Sequence, residues 1–143
     1  MAAISHCAIC GADWRAGLTC EDAYHTLLAR EFSDPMAGQV HHLTVICYMI
    51  QHDRYSAAAA AWARDMLEKL VVRGLSVADL SAAARSIVHT KTTPIARDPN
   101  APPLVQPQHA WRMTVVDAGR AVNAEEHAVL VTTWARAVWD TIR

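Results

Sequence analysis

Cys7, Cys10 and Cys20 crowd into one stretch, HCAICGADWRAGLTC, residues 6 to 20 of a 143-residue chain with only four cysteines. Two residues separate Cys7 from Cys10, so both sulfurs can reach one ion. Thiolate is a soft ligand, and Zn(II) takes it in tetrahedral sites without redox chemistry. Gly11, directly after Cys10, relieves the tight backbone turn such a knuckle makes. Cys20 falls at the expected first turn of a helix, where the helix N-terminus stabilises a thiolate. The competing reading of CxxC is a dithiol redox pair. Those pairs usually follow a strand at a helix start in a βαβ setting, whereas this one lies in an N-terminal loop with a third cysteine to hand.

A closed structural zinc site wants a fourth ligand. Cys47 sits on an apolar helical stripe and reads as a small buried hydrophobe. That leaves eight histidines, and the elements that would position them decide among these. Helical periodicity begins at Cys20, with Tyr24, Leu27, Leu28 and Phe32 on one face, and should stop near Ser33, before Pro35. A second helix is expected from about Gly38 to His52, with Val40, Leu43, Cys47 and Ile50 as its main apolar stripe. Val45, Ile46 and Met49 lie outside that stripe, and a helix apolar on most sides is usually central. A short loop joins the two, so they should pack as an antiparallel hairpin. Folding the chain about residue 36 sets Cys20 opposite His52, and the expected ligand set is Cys7, Cys10, Cys20 and His52. His41 is about 16 Å from His52 along the helix and cannot share its ion. His6 is adjacent to Cys7, which strains a tetrahedral site, and His25 lies on another face from Cys20.

Further along, a third helix is expected over about Tyr55 to Arg73, with Trp62, Met66, Leu67, Leu70 and Val71 inward and Gly74 as its stop. SVAD, from Ser76, starts a shorter helix through Leu80, Ala84 and Ile87. Residues 90 to 109 carry five of the six prolines, so they form a long loop, either a solvated linker or a strap across the helices. MTVVD, residues 113 to 117, reads as extended chain or one short strand. A last helix starts at Asn123, with Leu130, Trp134, Val138 and Ile142 inward. The expectation is a mainly α protein of four to five helices, one zinc-binding helical domain over residues 1–143, with the knuckle seated on an antiparallel helical hairpin.

Composition narrows the function classes. Thirteen basic and fourteen acidic residues give a formal charge of -1, and only two of the basic residues are lysine, so nucleic-acid binding by charge and a polybasic membrane patch are both disfavoured. The apolar run Leu43 to Ile50 is too short to span a bilayer. The N-terminus shows no charged leader, and a cytoplasmic location, where thiols stay reduced, fits CxxC as a metal motif. Apolar residues make up 52% of the chain and charged ones 19%, an excess that needs a core or a partner surface, a second copy included.

The segment EFSDPMAGQVHHLTVICYMIQH, residues 31 to 52, together with CAICG and Cys20, resembles a bacterial family of unknown function, number 5946 among such domains. Trp111, Thr114 to Asp117, His127 and WARAVW, residues 134 to 139, extend the likeness over most of the chain. An acidic position common in the family is missing here, where Ile46 or Cys47 stands. The resemblance implies a metal at the cysteines and draws attention to His41 and His127. It implies no activity. From the residues, two functions compete. One is a non-enzymatic binding or interaction module whose zinc is structural. The other is a small enzyme, dependent on the metal or on histidine. It would have a pocket near His41 and His127, closed by the proline-rich loop, with Asp117, Glu31 or Glu126 orienting the base. In a metal-dependent variant only three protein ligands hold the ion and His52 is a neighbour. No phosphate loop, GxSxG, HExxH or dinucleotide fingerprint occurs.

Overall fold

The computed structural model describes residues 5–14, 17–90, 95–103 and 111–143. It is mainly helical. A two-stranded hairpin, β1 (Ser5–His6) and β2 (Asp13–Trp14), precedes α1 (Cys20–Ser33), α2 (Pro35–Gly38), α3 (His41–Gln51), α4 (Ala57–Val71), α5 (Val77–Thr90), α6 (Val115–Ala118) and α7 (Ala124–Ile142). The count exceeds the expected four to five because two single-turn helices, α2 and α6, join the five long ones.

Four of the five long helices begin at a capping side chain, and α3 begins at Val40 without one. Thr19 opens α1: its hydroxyl accepts from the Asp22 N–H at 3.1 Å, and Asp22 accepts from the Thr19 N–H at 3.0 Å. Ser56 caps α4 and Asn123 caps α7 through the N–H groups of Ala59 and Glu126. Gly74, at φ +73°, stops α4, and the Leu75 N–H returns to the Lys69 carbonyl at 2.9 Å.

Two expectations need correction. The 113 to 117 run is no strand: Val115–Ala118 is a helical turn. Its two valines favour extended chain, but Asp117 accepts the Thr114 N–H at 2.9 Å and holds the first turn closed. The inward face of α1 is also rotated. Cys20, Leu27 and Glu31 are buried, while Phe32 is 81% exposed. A buried carboxylate with partners has taken the place that hydrophobicity alone assigned to an aromatic ring.

The hairpin fold holds in detail. Cys20 lies by His52, Tyr24 stacks on Tyr48 with centroids 3.8 Å apart, and Glu31 bonds His41. Each pair is symmetric about residue 36, so α1 and α3 run antiparallel. α3 is central, packing against α1, α4, α5 and α7. Leu43, Ile46 and Cys47 are completely or almost completely buried, as are Leu67 of α4, Leu80 of α5 and Val131, Trp134 and Val138 of α7. Gln51, at the end of α3, locks this arrangement. It accepts from the Trp134 indole at 3.1 Å and donates to the Met113 carbonyl at 2.7 Å, so a buried amide has both ends satisfied.

Part of the proline-rich stretch is described. Residues 95 to 97 run against the turn after α3: Ser56 N–H to the Ile95 carbonyl at 2.8 Å, Arg97 N–H to the Arg54 carbonyl at 3.0 Å, and Arg97 to Asp53 at 3.4 Å. That segment is a strap rather than a solvated linker. Residues 91–94 and 104–110 lie outside the described residues.

Candidate metal centre

The knuckle is built by the hairpin. Ser5 pairs with Trp14 and His6 with Asp13, and the Cys7 N–H reaches the Ala12 carbonyl at 2.9 Å. Between these rungs the chain turns tightly. The Gly11 N–H returns to the Cys7 carbonyl at 2.9 Å, and Gly11 has φ +78°, a conformation that suits glycine. The turn points the Cys10 N–H at the Cys7 sulfur, 3.4 Å away. Cys20 arrives from the first turn of α1 and His52 from the residue just past α3.

The Cys7, Cys10 and Cys20 sulfurs and one His52 nitrogen all lie within 4.8 Å of one another, and all four residues are buried. The spacing suits one ion. Zinc–sulfur bonds of about 2.3 Å at tetrahedral angles put neighbouring sulfurs about 3.8 Å apart. The Cys10 and Cys20 sulfurs are 3.6 Å apart.

His52 supplies the most informative atom. Its Nδ1 lies 2.9 Å from the Tyr48 carbonyl, which can only accept, so Nδ1 carries the proton. Nε2 therefore presents a lone pair. It is buried and has no hydrogen-bond partner among the described residues. Buried polar nitrogens are rarely left so, and a backbone carbonyl fixing the ring of a ligating histidine is the usual arrangement in metal sites. Tyr48 also stacks on the His52 ring at 4.2 Å, continuing the stack from Tyr24. The Trp14 indole N–H donates to the Cys20 sulfur at 3.1 Å. With the Cys10 thiol as the main cause, and His52 and this indole assisting, the Cys20 thiol is held well below its ordinary range despite burial. It is thus a ready thiolate.

The rejected candidates lie elsewhere. His6 is exposed, 3.6 Å from Asp13, and His25 is exposed near Glu21. Cys47 is fully buried inside α3, where burial raises its pKa, and it stands apart from the group.

His41 and His127 meet at the other end of the α1–α3 pair, on Glu31. Its two oxygens accept from His41 Nδ1 at 2.9 Å and from His127 Nε2 at 2.8 Å, and the Thr44 hydroxyl bonds the same carboxylate. Arg30 can only donate, and its guanidinium is 3.4 Å from His127 Nδ1, which identifies Nε2 as the proton-bearing nitrogen of that ring. Burial pushes the Glu31 carboxyl up, but His127, His41 and Thr44 outweigh it and hold it below the usual range. Gly38 completes this end. A Cβ there would come within 2.8 Å of the Glu31 carbonyl oxygen, so α2 crosses α1 at a distance only glycine permits.

His127 is completely buried behind Glu31, whereas His41 keeps 29% of its side chain exposed and lines an open cavity of about 590 Å³. Among the described residues α5 closes that cavity, through Val77, Ala78, Ser81 and Arg85, and not the proline-rich strap. Of the three groups expected to orient His41, Glu31 does so. Asp117 caps α6 and Glu126 lies in the first turn of α7.

Sequence reasoning did not find the Trp14 donor or the Gln51 clamp. The fold-back about residue 36 carried a usable signal for Glu31, because it sets residue 31 opposite His41.

The chain matches the family described as Family of unknown function (DUF5946) over residues 5–143, and it belongs to that family. No curated protein and no solved structure matches it.

Proposed function

We propose that this family member is a single zinc-binding helical domain over residues 1–143, in which Cys7, Cys10, Cys20 and His52 hold one structural Zn(II). The observation that carries the reading is the unpartnered, buried Nε2 of His52 beside three buried sulfurs. Three sulfurs and one imidazole nitrogen are a donor set that suits zinc. The ion would cross-link the β1–β2 hairpin to the start of α1 and the end of α3, so its binding free energy becomes folding free energy. A closed set of four protein donors supports a structural rather than a catalytic role.

The domain acts as a binding or interaction module in a reducing, cytoplasmic setting, where its four cysteines stay reduced. Phe32 and Val122, each 81% exposed, with Met36 at 51%, favour a protein partner or a second copy. No helix among the described residues is long and apolar enough to cross a membrane. Elemental analysis of the purified protein tests the reading: one zinc per chain, with zinc retention and thermal stability lost together in His52→Ala. Absence of zinc, or full occupancy in that variant, overturns it.

A further inference from the structure

The cavity beside His41 belongs to neither the metal site nor the core. It opens between the α1–α2 corner, the start of α3 and the first turns of α5. At about 590 Å³ it falls within the range of small-ligand pockets, about 300–1,000 Å³.

Three groups on its wall keep polar atoms that no other described residue engages. His41 donates from Nδ1 to Glu31, so in the neutral ring Nε2 carries a lone pair, and no partner takes it among the described residues. His42 next to it also lines the cavity, with its Nδ1 turned away from solvent and without a hydrogen-bond partner. Burial, with the Arg85 cation assisting, keeps the His42 pKa low, so the ring is neutral at neutral pH and can offer its Nε2–H. Arg85, exposed one turn beyond Ser81 on α5, is a permanent cation with planar donors suited to carboxylate or phosphate. The carboxylate in the cavity lining, Glu31, is already bonded by His41, His127 and Thr44 and leaves no oxygen unserved. Phe32 adds an aromatic rim, tilted against His41 at 5.6 Å.

We propose that this cavity binds a small organic oxyanion that also carries a hydroxyl or amino donor. Arg85 and His42 take the carboxylate or phosphate. The Nε2 of His41 accepts from the donor group and is held in that role by Glu31. The site acts independently of the thiol cluster at the far end of α1 and α3.

The test titrates the intact protein with two matched pairs: lactate against propionate, and glycerol 3-phosphate against propyl phosphate. Histidine ring nitrogen shifts are followed by NMR, a readout that does not depend on metal content. The proposal expects saturable shifts at His41 and His42 for at least one hydroxylated probe. It expects weaker binding of its hydroxyl-free partner and about tenfold weaker binding in Arg85→Gln. The pair that responds tells carboxylate from phosphate. No saturable shift up to about 10 mM for either hydroxylated probe overturns the site. So does equal binding of the matched partners, or unchanged affinity in Arg85→Gln, an exposed position whose replacement leaves the fold intact.

Discussion

The two ends of the α1–α3 hairpin solve the same problem in opposite ways. Each buries polar groups around a histidine from the α3 region. At one end lie Cys7, Cys10, Cys20 and His52, and at the other Glu31, His41, Thr44 and His127. At the carboxylate end the charged group is satisfied by the chain itself, since both Glu31 oxygens have donors, although the neighbouring His42 Nδ1 has none. The thiol end is not, because His52 Nε2 is buried without a partner. The contrast teaches where an outside atom is required. A buried charge with complete hydrogen bonding is a structural lock, whereas soft donors converging on an unsatisfied nitrogen form a socket.

The two ends should therefore fail differently. The largest effect is expected from metal removal. Chelation should cost about 4 kcal/mol for a site held at a thousandfold above its dissociation constant. It should release the hairpin of residues 5 to 14 while leaving the Glu31 end intact, which hydrogen exchange resolved by residue would read. Uniform loss of protection at both ends would break the distinction.

Glu31→Gln should follow, at about 3 kcal/mol by urea denaturation, since it removes the charge and turns one of the two acceptor oxygens of a buried network into a donor facing other donors. Zinc content should not change. The sign of its pH dependence follows from the depressed Glu31 pKa. The contribution is present above the unfolded value, near 4.5, and is lost as pH falls through the folded one. The stability gap between wild type and variant should then narrow in acid, and a constant gap would contradict the assignment.

Gly38→Ala should cost about 1–3 kcal/mol, because the new Cβ meets the Glu31 carbonyl oxygen at 2.8 Å and backbone must shift. The smallest effect is expected from Trp14→Phe, about 1 kcal/mol, through loss of the indole bond to Cys20. It should slightly loosen the metal and leave the carboxylate end untouched. Thermal melts of both variants with and without added zinc separate the two outcomes.

The residues themselves explain what was legible. The hairpin could be read because SDP interrupts the helix and a short connection forces antiparallel return, and His52 fell out of that symmetry. Caps at Ser76 and Asn123 and the stop at Gly74 are local chemistry and therefore visible in sequence, whereas the equally local caps at Thr19 and Ser56 were missed. Phe32 and Glu31 were harder. Periodicity ranks a phenylalanine above a glutamate for burial, and only a partner 96 residues away, His127, reverses that order. The same limit hid the Gln51 clamp, whose partners Met113 and Trp134 lie far along the chain. MTVVD misled because the strand preference of two valines is local, while the Thr114–Asp117 cap that overrides it needs a helix to be recognised as one.

X-ray absorption at the zinc edge of the purified protein tests the central claim most directly. The account predicts one zinc per chain with three sulfurs at about 2.3 Å and one nitrogen at about 2.0–2.1 Å. A shell with fewer than three sulfurs, or one retaining a water oxygen in place of the imidazole nitrogen, would contradict it.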